Sequence, residues 1–259
     1  MKRFFEALAI PMETPKSYGT FHISFFLIGL AVCIIAAVLL RKTDEKQNKI
    51  VLGVVGLTLI ITELLKQLFY YYIIGNETYP WWIFPFQLCS VPMYLCIIAI
   101  FLPKCKFREH LFEFMFAVNM VGGFISFLEP SGLNHPWLFL TLHAYIWHML
   151  LVFLGLYLYF SKRACTTKTG YLKAIITFIS LVCVAQIMNL TINKPGFNMF
   201  YISPYAQSPL AVFSMFWEKF GWFSNMLLYI LAISIAAAVV YYIFYLFRKK
   251  KKQSNSKIK

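Results

Sequence analysis

The chain has 259 residues, of which 60% are hydrophobic, 19% aromatic and only 13% charged, with a formal net charge of +14. Soluble domains carry about 45–50% apolar residues, so this composition excludes an ordinary globular protein. The positive charge does not point to nucleic acid, because it sits in particular loops and in the tail and forms no continuous basic face.

Seven apolar runs follow one another: 22–40, 50–74, 81–102, 109–128, 137–160, 171–190 and 222–247. About 20 residues at 1.5 Å rise cross a ~30 Å hydrocarbon core. Only helices satisfy the backbone of such runs in lipid. The expected fold is therefore an all-α polytopic membrane bundle of seven helices in one domain over 1–247, with a basic tail at 248–259. The first run ends at Arg41-Lys42 without a small-residue cleavage pattern and reads as a retained span.

The loops at 41–49, 104–108 and 161–173, together with the tail, hold eighteen Lys and Arg residues, against five on the other side. This asymmetry places the N-terminus outside and the C-terminus inside, in a multi-pass protein expected in the cell membrane. Anionic lipid is the expected partner of the tail. The six cysteines show no paired spacing, which predicts free thiols.

In the second run, Glu63 and Lys66 stand three residues apart on one helix face. They can form a mutually neutralising structural pair, or Glu63 can orient a histidine or meet a headgroup amine. In the third run, Pro85 and Pro92 flank Cys89 and predict a kinked helix that opens space beside the thiol. The bland alternative is that Cys89 is a small buried hydrophobe. His143 and His148 lie in the fifth run, about 140° apart around the helix. One of them can serve as an ordinary interhelical contact. Gln87, Asn119 and Gln186 fall at similar depth, roughly 9–16 Å below the outer surface with the others by helical rise.

A thiol beside an imidazole is a nucleophile with its base, and acyl esters of lipids are the carbonyls a membrane offers it. A metal site is not expected, since no HxxH or CxxC is present. No cofactor is expected either. The long segment 191–221 carries Pro195, Pro204 and Pro209 among aromatics and predicts an ordered outer lid. Asn193 and Asn198 there can reach a headgroup, with turn formation as the competing role.

Several short stretches carry a resemblance. They are Pro85-Phe86-Gln87-Leu88-Cys89-Ser90, Glu129-Pro130, His135-Pro136, Ala144-Tyr145-Ile146-Trp147-His148, and Gly196–Tyr201 followed by Pro204. From Glu63 to about Pro209 the chain resembles the YwaF-type bacterial integral membrane proteins, a family related to the eukaryotic transmembrane protein 164, an ether-phospholipid acyltransferase. Phe84 and Trp137 depart from the family pattern. The resemblance implies lipid acyl transfer through Cys89 and His148, with membrane lipids as substrate. The expected site is Cys89, His148, His143 and Glu63 for chemistry, with Gln87, Lys66, Asn119 and Asn198 for binding. The alternatives are a transporter or small-molecule receptor with a non-covalent polar site, and a structural membrane protein. The absence of inverted repeats weighs slightly against a transporter.

Overall fold

The computed structural model describes residues 1–192 and 194–257, without the side chains of 211 and 251–257. Asn193 therefore lies outside the described residues, and so do the side chains of the tail beyond Lys250.

The described residues fold into nine α-helices: α1 (Lys2–Leu8), α2 (Thr20–Leu39), α3 (Glu45–Phe69), α4 (Val91–Phe101), α5 (Lys106–Phe114), α6 (Met120–Leu128), α7 (Leu138–Phe160), α8 (Lys168–Thr191) and α9 (Ala211–Lys257). A π-helical turn, Met115–Asn119, joins α5 to α6 in one continuous helical span. Another, Tyr70–Ile74, extends α3. Gly221, at φ 79°, divides α9 into a short first piece and the last span. A side chain at that φ would be strained, so glycine sits at the bend.

Among the described residues, six helical segments are long and apolar enough to cross a membrane: Thr20–Lys42, Glu45–Ile74, Lys106–Leu128, Leu138–Phe160, Lys168–Thr191 and Val212–Lys250. They carry large apolar side chains on their outward faces, among them Leu27, Ile28, Ile61, Ile176 and Ile235. Such a girdle would aggregate in water and belongs against lipid. The expected third span departs from this pattern, because its helix, Val91–Phe101, has only 11 residues.

Local chemistry sets the helix starts. Asp44 caps α3 in a capping box: its carboxylate accepts from the Gln47 N–H at 2.8 Å, and the Gln47 side chain accepts from the Asp44 N–H at 2.9 Å. Thr167 caps α8 through the Gly170 N–H.

Helix α7 is the hub and packs against α2, α3, α6 and the π-helical turn. Its seam with α6 is tight, since a Cβ at Gly123 would sit 2.9 Å from the His148 carbonyl oxygen. Glycine there lets α6 approach the backbone at His148. The turn Met115–Asn119 is fully buried at the centre, against α7, α8 and α9.

The end of the bundle opposite the basic loops is covered. Phe5 of α1 is buried and stacks on Tyr72 at 5.7 Å. The strand-like residues beyond α1 bond the start of α7 through Met12 N–H to Pro136 O and Leu138 N–H to Ile10 O. From the 191–221 segment, Phe197, Met199, Phe200 and Ile202 are buried, while Tyr205 is exposed.

Candidate functional site

The segment before α4 is not the kinked helix that the two prolines predict. Trp81–Ile83 makes one 3-10 turn, Phe84 is extended, and α4 starts only at Val91. Pro85 disfavours helical geometry at the residue before it, and Phe84 indeed adopts φ −47°, ψ 133°. Pro92 lies in the first turn of α4, where a missing N–H costs nothing. Cys89 thus occupies a turn just before a helix, and a helical rise no longer measures its depth. Irregular backbone at membrane depth persists only where protein covers it or where it lines a cavity.

Five neighbours hold this turn. The Trp147 indole N–H donates to the Cys89 carbonyl at 3.0 Å, and Tyr94 OH donates to the Pro85 carbonyl at 2.8 Å. The Gln67 side chain donates to the Ile83 carbonyl at 2.8 Å. The Gln87 amide donates to the Asn198 carbonyl at 2.8 Å and accepts from the Phe200 N–H at 2.9 Å. The backbone N–H groups of Gln87, Leu88 and Cys89 find no backbone acceptor among the described residues. Such free amides beside a thiol can receive an oxyanion.

His148 Nδ1 lies 2.7 Å from the Ala144 carbonyl oxygen. A carbonyl only accepts, so Nδ1 carries the proton and Nε2 keeps the lone pair. His143 rests against the Trp147 ring, centroids 5.2 Å apart, and its Nε2 is buried without a partner. Cys89 and His148 are each only partly buried. In this arrangement no hydrogen bond joins the Cys89 sulfur to either imidazole.

Glu63 and Lys66 pair on α3 at 2.7 Å, and Gln67 adds a bond of 2.6 Å to the same Glu63 oxygen. Tyr79 OH completes the chain by donating to Gln67 at 2.6 Å. Glu63 bonds neither histidine, so the expected orienting contact is not made; its second oxygen is buried and unpartnered. Lys66 lies within Coulombic range of Cys89, His135, His143 and His148.

The binding amides divide. Gln87 and Asn198 are spent on fastening the 191–221 segment. The Asn198 side chain accepts from the Ser203 N–H and donates to the Ala206 and Gln207 carbonyls, which is the turn-forming role. Phe200 and Tyr201 beside it hold φ near +58°, a strained region for such residues. Asn119, by contrast, is buried with both amide atoms unpartnered, at the end of the π-helical turn and one helical turn from Gly123. Gln186 and Asn225 also have unpartnered buried oxygens. Such orphans are expensive in a finished core and mark places prepared for water or a ligand.

Sequence reasoning missed Gln67, Tyr79 and Trp147, as well as Tyr201 and Tyr229, which lie within Coulombic range of Cys89. Gln67 carried a signal, standing one helical turn beyond Glu63 on an apolar span. Trp147 carried none beyond its place next to His148. Among the described residues no three His, Cys, Asp or Glu side chains gather as a metal site, and the six cysteines are unpaired.

Compared with protein-family models, the chain matches the TMEM164 family over residues 17–256. It belongs to the TMEM164 family. The family match spans all the membrane segments and every site residue discussed above. No curated protein and no solved structure matches this TMEM164-family chain.

Proposed function

We propose that this TMEM164-family protein is a membrane-embedded enzyme of lipid acyl transfer, with Cys89 as nucleophile and His148 as base. The observation that carries the reading is the His148 tautomer, whose Nε2 lone pair is held ready by the Ala144 carbonyl. The thiol proton passes to Nε2, and the sulfur attacks the carbonyl carbon of an acyl ester. The ester C–O bond then breaks, and the leaving alcohol takes the proton back from the imidazolium. A second alcohol, or water, attacks the thioester and regenerates the thiol. The free amides at 87–89 would hold the oxyanion of each tetrahedral state. The thiol and imidazole close to hydrogen-bond distance when substrate enters, since apo sites are commonly looser. Lys66 would meet a lipid phosphate, exchanging Glu63 for it.

One observation favours a second reading. The unpartnered amide of Asn119 and the unpartnered oxygens of Gln186 and Asn225 suit a polar cavity that binds a small molecule with no covalent step. Reconstitution into phospholipid vesicles with an added lysophospholipid separates the two. The enzyme reading expects labelled acyl chains to move to the acceptor or to water, and both Cys89→Ala and His148→Gln to stop this. A folded protein that moves no acyl chain, with any lipid offered, leaves the binding reading.

The expected home of this activity is the cell membrane. The lipid-facing helices support membrane insertion, and the basic loops support an orientation with the Cys89 turn nearer the outer surface.

A further inference from the structure

The basic end of the bundle contains a cavity that the acyl-transfer reading does not use. It has a volume of about 370 Å³, within the roughly 300–1,000 Å³ of ligand sites in general. Three segments build it: Thr43 and Glu45 before and in α3, Lys104 and Cys105 between α4 and α5 with Arg108 in the first turn of α5, and Ser161 with Arg163 after α7. The helix α4, ~16 Å long at 1.5 Å per residue, separates it from the Cys89 turn.

The cations around this cavity outnumber the carboxylates available to them. Glu45 serves both Arg108, at 2.5 Å, and Lys104, at 3.9 Å. Glu109 is taken by Lys173, and the Asp44 carboxylate is committed to capping α3. Arg163 meets only neutral oxygens: its guanidinium donates to the carbonyls of Thr43 at 2.7 Å and Asp44 at 2.8 Å and, more weakly, to the Thr43 hydroxyl. Arg108 is itself buried, which fixes its fork in place. The α5 N-terminus adds uncapped N–H groups at Cys105–Arg108. A planar, immobilised guanidinium without a carboxylate, a second arginine and a lysine only loosely paired with a shared carboxylate, all around one cavity, match the oxygens of a phosphate.

We propose that this cavity binds the phosphate of an anionic phospholipid headgroup from the leaflet at the basic end. A zwitterionic headgroup brings its own cation and gains little there, whereas an anionic one neutralises the surplus charge. Basic pockets between membrane helices are recognised sites for such headgroups.

The test is the thermal midpoint of the full-length protein in detergent, with dioleoyl phosphatidylglycerol, dioleoyl phosphatidylcholine or inorganic phosphate added at matched ionic strength. Phosphatidylglycerol raises the midpoint by mass action, and phosphatidylcholine does not. Arg163→Gln and Lys104→Gln each remove most of that rise, while the tail variant Lys249→Gln/Lys250→Gln keeps it. Lys104 is largely exposed, so its variant folds even if Arg163→Gln loosens the loops. Inorganic phosphate reproducing the whole rise would support the phosphate site and exclude the lipid as its source. Equal shifts with both lipids, or a rise lost only in the tail variant, overturn the proposal.

Discussion

Trp147 donates its indole N–H to the Cys89 carbonyl across 3.0 Å, fastening an irregular turn to the helix that carries both histidines. The bond ties the thiol segment to an indole whose ring also meets His143, tilted 31° at 5.2 Å, and whose residue precedes His148 in the chain. Trp147→Phe keeps an aromatic six-membered ring but removes the donor and the pyrrole ring, leaving the Cys89 carbonyl unpaired beside a small gap. The expected cost is about 1–3 kcal/mol in stability, as for a buried acceptor left unmade. Thermal unfolding measures that loss. The rate of acyl labelling at Cys89 should fall as well, because the turn gains freedom.

The Glu63–Lys66 pair gives a second expectation. Only 4% of the Glu63 side chain is exposed, so Lys66→Met strands a buried carboxylate and should cost about 3–5 kcal/mol. Replacing both, as Glu63→Gln/Lys66→Met, should recover most of the loss. Denaturant unfolding of the two variants decides it, and equal destabilisation would mean that the pair is screened by water.

His135 lies between α6 and α7, outside the spans, where burial pushes its imidazole below the ordinary value, helped by the nearby Lys66 charge. The sign follows from linkage: the unfolded chain takes up the proton first as pH falls. The stabilising share of His135 is thus complete above about pH 6.5, the usual histidine value, and is lost progressively below it. Unfolding midpoints measured from pH 7.5 to 5 should fall less steeply for His135→Gln than for the parent.

Orientation has its own test. Cys105 and Cys165 belong to the basic loops, and both retain some exposure. An impermeant thiol reagent should leave both unmodified in intact cells and modify them in inverted vesicles. Modification in intact cells would reverse the assignment of inside and outside.

Much of this fold can be read from the chain because a span must be an uninterrupted apolar helix, which is why α2, α3, α7 and α8 fall where the runs predict. The Trp81–Ser90 segment escaped for a physical reason. An apolar run looks the same whether helix or protein-covered coil, and Pro85 and Pro92 fit a kink as well as a helix start. Cys89, His143 and His148 could be singled out as polar groups in apolar surroundings. Their partners could not, since the Trp147–Cys89 bond spans 58 positions and the Gln87–Asn198 bond 111. Phe5 and its contacts over the end opposite the basic loops were hidden because the first twenty residues show no clear period.

The central claim is that Cys89 carries the acyl group, and the most direct measurement is to trap it there. Protein in native membranes, given an alkyne-tagged phospholipid acyl donor and stopped in acid, should yield a labelled peptide containing Cys89. Hydroxylamine should release the label, and Cys89→Ala should lack it. His148→Gln should label far more slowly, by the about 10²–10⁴-fold that a general base contributes. A folded parent protein that never labels Cys89, or labels equally well as Cys89→Ala, contradicts the account.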